Sequence, residues 1–273
     1  LLNTSYTIYN KVINHSIYAR VTSAQKVRIL KALQSRNEIV AMTGDGINDA
    51  PAIKSSDVGV AMSIKGTDIA RDASDMVLTD DHFSSIVNSI EEGRIIYDNI
   101  KKFVRYLLAA NMAEIGVILV AMLAGMPLPL LPLQILWINL MTDSWPALAL
   151  GVDPPAKGIM NRKPRKTDEN IMGDLKSFIL LVGLIGTIVT LGMFTWANNK
   201  YELENARTLA LTTLMAYEMF VVYSVKNLKP FTNVFDNKWL NLAVLFSITL
   251  QLIVIYSPLN TLFGLVPLLP IEW

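Results

Sequence analysis

Two carboxylates stand four residues apart in the string Thr43-Gly44-Asp45-Gly46-Ile47-Asn48-Asp49-Ala50-Pro51, which follows the apolar run from Ile39 to Met42. An Asp at the C-terminal end of a strand, followed by Gly and a second Asp, can hold Mg²⁺ beside a phosphoryl group. Hard oxygen donors suit this ion, which keeps several waters and needs only one or two carboxylates. Gly44 and Gly46 permit close approach of a backbone to that group. A metal so placed neutralises charge on a transferring phosphoryl group, and a lysine adds a point charge to the same end. Lys26, on the helix-forming stretch upstream, is the candidate. Gly, Asn and Asp are also the usual turn formers, so Gly-Asp-Gly taken alone serves equally as a plain turn. The longer string favours the chemistry.

A second constellation lies in apolar surroundings. Asn111 and Glu114 are spaced i, i+3, and Asn139, Thr142 and Asp143 are spaced i, i+3, i+4, so each set shares one helix face. An acid inside a membrane costs on the order of 3 kcal/mol on the insertion scale, and two facing acids need a cation or a proton. The donors are all oxygen: two carboxylates, two amides and a hydroxyl. With one carboxylate bidentate they approach the ~6–8 oxygens that Ca²⁺ takes, and no His, Cys or Met among them favours a soft metal. Pro146 lacks the N–H that would bond the Thr142 carbonyl, which frees a backbone oxygen nearby. Hydrogen-bonding glue between helices is the alternative use of such residues.

The elements that must position these groups follow from the distribution of apolarity. The chain has 273 residues, 52% of them hydrophobic, and a mean hydropathy of +0.39. Its apolar residues fall in blocks near 103–123, 131–150, 177–197, 208–225 and 239–257, each close to the ~20 residues that cross a bilayer as a helix. Residues 1–82 are instead α/β in character. The β-branched runs Ile39 to Thr43, Val58 to Met62 and Met76 to Thr79 alternate there with helical stretches such as Gln25 to Ser35. Residues 83–105 read as an amphipathic stalk carrying Glu91, Glu92, Arg94, Lys101, Lys102 and Arg105, and no helix breaker separates it from the apolar run Tyr106 to Leu123. The turn Gly125-Met126-Pro127-Leu128-Pro129 is too short to hold a domain, so the first two blocks form a hairpin and are neighbours.

Lys157, Arg162, Lys163, Arg165 and Lys166 fall between the second and third blocks, and Lys226, Lys229 and Lys238 between the fourth and fifth. Positive residues mark the cytoplasmic side, which places the N-terminal α/β part there and the end around Pro270 to Trp273 on the far side of the membrane. A net charge of +1 and a pI near 8.0 suggest no nucleic-acid partner. The absence of cysteine excludes disulfides, thiolate metal sites and Cys-Pro soft-metal transport. Membrane lipid is the expected partner, and no obligate protein partner is inferred. His15 and His82 are isolated, the methionines suit core filling, and Trp196, Trp239 and Trp273 suit interfacial anchoring.

Tyr18-Ala19-Arg20-Val21 with Lys26, then Thr43 to Pro51, Val58-Gly59-Val60-Ala61-Met62 and Asp75-Met76-Val77-Leu78 resemble the second half of the phosphorylation domain of P-type ATPases. The resemblance implies a haloacid-dehalogenase-like fold, with Asp45 as Mg²⁺ ligand, Asp49 supporting it and Lys26 contacting the phosphoryl group. It also implies that Arg20 and Asn48 help bind nucleotide or phosphate. The family's nucleophile belongs to an Asp-Lys-Thr-Gly-Thr motif that does not occur in this sequence, and it is expected upstream of Leu1.

Asn111 to Glu114, Leu136 to Asp143 and Pro146 to Gly151 are similar to the fifth and sixth transmembrane helices of sarco/endoplasmic-reticulum-type Ca²⁺-ATPases. Animal members carry a further Glu at the cytoplasmic side of their eighth helix, where Ser224 to Lys229 has none. Glu218, a turn or two deeper, is a candidate to replace it, or else a proton-carrying or hydrogen-bonded acid. A Glu from the fourth helix and a last span are expected outside the sequence.

The expectation is therefore an α/β partial haloacid-dehalogenase-like phosphorylation domain followed by an all-α transmembrane helical bundle of five spans. As a C-terminal fragment it would be inactive alone. The whole would be an integral membrane pump using ATP and Mg²⁺ to transport a cation, Ca²⁺ first, through an aspartyl-phosphate. A pump for Mn²⁺, Na⁺ or K⁺, and a truncated non-catalytic membrane protein, are the alternatives.

Overall fold

Thr22 begins the first helix because it and Gln25 cap each other. The Thr22 N–H donates to Gln25 Oε1 at 2.8 Å and the Gln25 N–H to Thr22 Oγ1 at 3.4 Å, which satisfies two otherwise orphaned donors. The computed structural model describes residue 12 and residues 15–165, 173, 175–226 and 236–270. Lys166, Asn227 to Lys229 and Trp273 lie outside the described residues. Two compact units emerge, and their division falls within a helix, between Glu92 and Gly93.

The first unit runs α1 (Ser23–Gln34), β1 (Ala41–Gly44), α2 (Ala50–Ser55), β2 (Val58–Met62), α3 (Asp68–Ala73) and β3 (Met76–Leu78). The strands form a parallel sheet in the order β1-β2-β3, which requires the helices to serve as crossovers. Ile53, Ala61 and Ala70 form one small core. Val60 and Leu78 form another with Ile86. The Asp57 carboxylate accepts from the Val40 N–H at 2.9 Å and from Gln34 Nε2 at 3.2 Å, which ties the end of α1 to the approach to β1. Those bonds, the Val40 one foremost, hold its carboxyl below the usual carboxylate range.

The second unit is helical. The helix α4 (Phe83–Leu123) runs into it, and α5 (Pro132–Trp137), α6 (Ser144–Gly151), α7 (Lys176–Asn198), α8 (Leu203–Lys226), α9 (Lys238–Tyr256) and α10 (Leu259–Phe263) follow. Among the described residues α4, α7, α8 and α9 are long and apolar enough to cross a membrane, and α8 is the most buried of them. The apolar stretch from Pro132 to Gly151 is not one continuous helix. A π-helical turn, Ile138–Thr142, separates α5 from α6. Pro146 offers no N–H to the Thr142 carbonyl, and the Asp143 N–H reaches back five residues to the Ile138 carbonyl at 2.9 Å.

Small residues let the helices approach. A Cβ on Gly186 of α7 would fall 2.8 Å from Ala113 Cβ of α4 and 2.6 Å from the Tyr217 ring of α8. Beside it Thr187 Oγ1 donates to the Ala113 carbonyl at 3.3 Å.

Past α6 the buried Asp153 gathers three elements. Its carboxylate receives Lys102 Nζ of α4 at 2.5 Å and Asn237 Nδ2, before α9, at 2.8 Å. Asn99 Nδ2 donates to its carbonyl at 2.9 Å, while Asn237 also caps α9 through the Leu240 N–H. Removing one partner of a buried ion pair leaves the other charge stranded, at a cost of about 3 kcal/mol. Asp153→Ala is therefore expected to lower the midpoint of thermal inactivation by several degrees. Asp68→Ala breaks a pair with Arg71 in which the Asp side chain is 90% exposed, and such pairs contribute roughly 0–1 kcal/mol. Equal midpoints for the two variants would refute a stabilising role for the Asp153 cluster.

Candidate functional site

Strand β1 ends at Gly44, and Asp45 projects just beyond it. The Asp45 carbonyl accepts the Thr67 N–H at 2.9 Å, which fixes the loop against the start of α3. The Asp45 side chain is exposed, and its carboxylate makes no hydrogen bond or ion pair among the described residues. Asp49 begins α2 but does not cap it. Its carboxylate is buried and paired with Lys26 Nζ from α1. Gly44 is required by this packing, since a Cβ there would lie 2.5 Å from Asp49 Cβ. Lys26 and Asp49 are thus brought together, with Asp49 packed against the strand end that Asp45 follows. Arg20, whose φ is +55°, and Asn48 are exposed and, among the described residues, neither bonds to that pair. A free carboxylate at a strand end, with a lysine–aspartate pair behind it, fits Mg²⁺, which takes few protein ligands and completes its shell with water and phosphate.

The acids of the helical unit gather around the break between α5 and α6. Asn139 Nδ2 donates to both Glu114 oxygens, at 2.9 and 2.7 Å, and to the Ile135 carbonyl at 3.1 Å. Asp143 is 1% exposed. Its Oδ1 accepts the Tyr106 hydroxyl at 2.8 Å. Thr142 Oγ1 donates to the Ile138 carbonyl at 3.0 Å. The carbonyl of Thr142, which Pro146 leaves without a backbone donor, accepts Ser247 Oγ from α9 at 2.7 Å.

Glu218 of α8 is wholly buried and its carboxyl faces that of Asp143. Neither of its oxygens meets a donor in hydrogen-bond geometry. Asn111 is half-buried and on the Glu114 side of α4, and among the described residues it makes no hydrogen bond to the others. Among the described residues no three His, Cys, Asp or Glu side chains converge closely enough to hold a metal by themselves. Any cation here must draw on amide, hydroxyl and backbone oxygen as well.

Three contributors escape a reading by spacing within one span. Tyr106 lies two helical turns before Glu114 on α4, a separation that keeps it near the same face. Ser247 and Gln251 form an i, i+4 polar pair on the otherwise apolar α9, and that pattern was the available signal.

Residues 127–273, more than half of the chain, match the family model described as cation transporting ATPase, C-terminus. The chain belongs to the cation-transporting ATPases. It is 46% identical over 263 residues to a calcium-transporting ATPase of Bacillus subtilis, covering 94% of this chain and 30% of that protein. It is 42% identical over 293 residues to calcium-transporting ATPase 1 of Bacillus cereus, covering 99% of this chain and 33% of the relative. An endoplasmic-reticulum-type calcium-transporting ATPase 3 of Arabidopsis thaliana is 36% identical over 294 residues, covering 94% of this chain and 29% of its own length. The chain thus spans about a third of the length of the curated relatives it matches. The chain is part of an integral membrane protein of this family, with a small parallel sheet ahead of its helical region.

Proposed function

We propose that the protein to which this chain belongs is an ATP-driven Ca²⁺ pump working through an aspartyl-phosphate. One observation carries the reading: Glu114 on α4, Asp143 at the α5–α6 break and Glu218 on α8 are all buried in the helical unit, two of them on helices of membrane length, and Asn139 bonds to Glu114. Buried acids without cations of their own are too costly to be mere packing. Their oxygen-only surroundings suit Ca²⁺ over softer metals.

Asn111, Glu114, Asn139, Thr142 and Asp143 are the proposed ligands, and Glu218 joins them in place of an acid from Ser224 to Lys229. Loading the ion would exchange the Asn139 N–H contact with Glu114 for oxygen ligation. The interrupted segment from Pro132 to Gly151 is taken as a fifth span, whose irregular backbone is tolerated because it faces protein.

The first unit is proposed to be the cytoplasmic half of a haloacid-dehalogenase-like phosphorylation domain. Asp45 would hold Mg²⁺, which when bound supplies charge neutralisation at the phosphoryl group. Lys26, held by Asp49, would present its ammonium toward that group, while Arg20 and Asn48 would serve nucleotide or phosphate. The phosphorylated Asp belongs to a part of the protein other than these residues, and α4 is the chain segment that joins the two functions.

The test is phosphorylation of the full-length protein by ATP at graded Ca²⁺, with Mn²⁺, Na⁺ and K⁺ as competitors. Half-saturation by Ca²⁺ well below the competing ions is expected. Phosphorylation that responds to another of these ions and ignores Ca²⁺ would reassign the cargo. The absence of any phosphoenzyme would remove the pump reading.

A further inference from the structure

Helix α9 contributes none of the acids, yet it meets the α5–α6 break at both of its ends. Ser247 and Gln251 are spaced i, i+4, so they share one face of α9, and both are buried. Ser247 Oγ donates to the Thr142 carbonyl at 2.7 Å, at the end of the π-helical turn. Gln251 Oε1 accepts Trp137 Nε1 at 3.1 Å, immediately before that turn begins. Between these two points lie Asn139 and Thr142, with Asp143 next in sequence.

Neither contact is explained by packing. The Thr142 carbonyl is the one that Pro146 deprives of its backbone donor, and a buried carbonyl needs a partner. Ser247 supplies a hydroxyl there, 105 residues away in sequence. Gln251 buries its Nε2 without a hydrogen bond. A leucine would fill the same space without burying an unpaired donor, so the acceptor offered to Trp137 is the feature that sets glutamine apart here. Trp137 also meets the Phe263 ring, edge-on at 5.2 Å between centroids. The turn is therefore anchored before and after the residues that it presents, and both anchors stand on one rigid helix.

We propose that Ser247 and Gln251 are positioning residues of the cation site, a clasp on α9 that keeps the π-helical turn in ion-binding geometry and so sets cation affinity without touching the ion. This rests on the cation-pump reading above. A helix interrupted at a buried site rewinds or slips unless its freed polar groups are fixed. Slippage by a single residue would rotate Asn139, Thr142 and Asp143 away from Glu114 and Glu218. Loss of the clasp weakens cation binding and leaves the nucleotide site in the other unit untouched.

The full-length protein is assayed for phosphorylation by ATP across a Ca²⁺ series and, separately, across an ATP series. Ser247→Ala and Gln251→Leu are each expected to raise the half-saturating Ca²⁺ concentration by about tenfold, as removal of one buried hydrogen-bond partner does. The half-saturating ATP concentration should not move. Ser247→Thr keeps the hydroxyl and should stay within about twofold of the unaltered protein on the same grounds. Trp137→Phe should mimic Gln251→Leu, and the pair combined should cost no more than either alone.

Wild-type Ca²⁺ dependence in Ser247→Ala overturns the clasp, as does a Ser247→Thr shift equal to that of Ser247→Ala, which would mark a packing effect. Should Ser247→Ala fail to reach the membrane, Ser247→Cys, a weaker donor, carries the same comparison. If the unaltered protein responds to a different cation, that ion replaces Ca²⁺ in every arm. If it responds to none, the pump reading falls and the clasp with it.

Discussion

Asp143→Asn is expected to raise the Ca²⁺ concentration needed for ATP-driven phosphorylation by roughly a hundredfold, on the order of 3 kcal/mol, because it removes one charge from a buried cluster built to hold a cation. The substitution keeps size, shape and an acceptor for the Tyr106 hydroxyl, now 2.8 Å from Asp143 Oδ1. The neighbourhood therefore has no reason to unfold. Tyr106→Phe deletes only the donor to that carboxylate, and its expected effect is smaller, about tenfold. Phosphorylation by inorganic phosphate in the absence of Ca²⁺ monitors the fold of both variants. If Asp143→Asn and Tyr106→Phe shift Ca²⁺ dependence equally, Asp143 is a hydrogen-bonding residue and not an ion ligand.

The asymmetry between those two substitutions also shows which parts of the site were readable in the sequence. Spacing put Asn139, Thr142 and Asp143 on one face, and the missing N–H of Pro146 marked the Thr142 carbonyl as free. The hydroxyl that fills that vacancy in the bonding pattern belongs to Ser247, and nothing local to Pro146 points to it. Glu218 was harder to place from sequence. Comparison with the stretch Ser224 to Lys229 left it a turn or two too deep, whereas the packing of α8 turns its carboxyl toward Asp143. The helix α8 is the most buried of the four long helices, and a helix covered on most sides gives little periodicity from which one inward face can be read.

In the first unit the β-branched runs fall on the three strands, but their ends differ for physical reasons. The run beginning at Ile39 enters the sheet only at Ala41. Ile39 is 63% exposed, and the Val40 N–H is taken by the Asp57 side chain instead of a neighbouring strand. The first helix starts two residues before Gln25 because the Thr22 capping box draws Ser23 and Ala24 into it. The stretch from Pro132 to Gly151 has the length and apolarity of an ordinary span. Hydropathy counts side chains and does not register a backbone interruption.

Asp45→Asn tests the other unit, and its expected effect on the rate of phosphorylation by ATP is about a thousandfold, on the order of 4 kcal/mol. Asp45 is the exposed, unpaired carboxylate at the end of β1, so an amide there should disturb neither the sheet nor the Lys26–Asp49 pair. What it loses is the anionic oxygen proposed for Mg²⁺. The deficit should therefore appear as a raised Mg²⁺ requirement at fixed ATP, with Ca²⁺ dependence unchanged. Asp49→Asn has a different signature. It removes the buried charge that pairs with the half-buried Lys26, so it should lower stability and rate together while leaving the Mg²⁺ requirement closer to normal. Gly44→Ala serves as a third comparison, since its Cβ would press on Asp49 at 2.5 Å and should reproduce the Asp49→Asn pattern. If all three variants raise the Mg²⁺ requirement alike, metal binding is a property of the loop as a whole and Asp45 has no special claim to it. If Asp45→Asn alone does so, the carboxylate at the strand end is the ligand and the Lys26–Asp49 pair is its support.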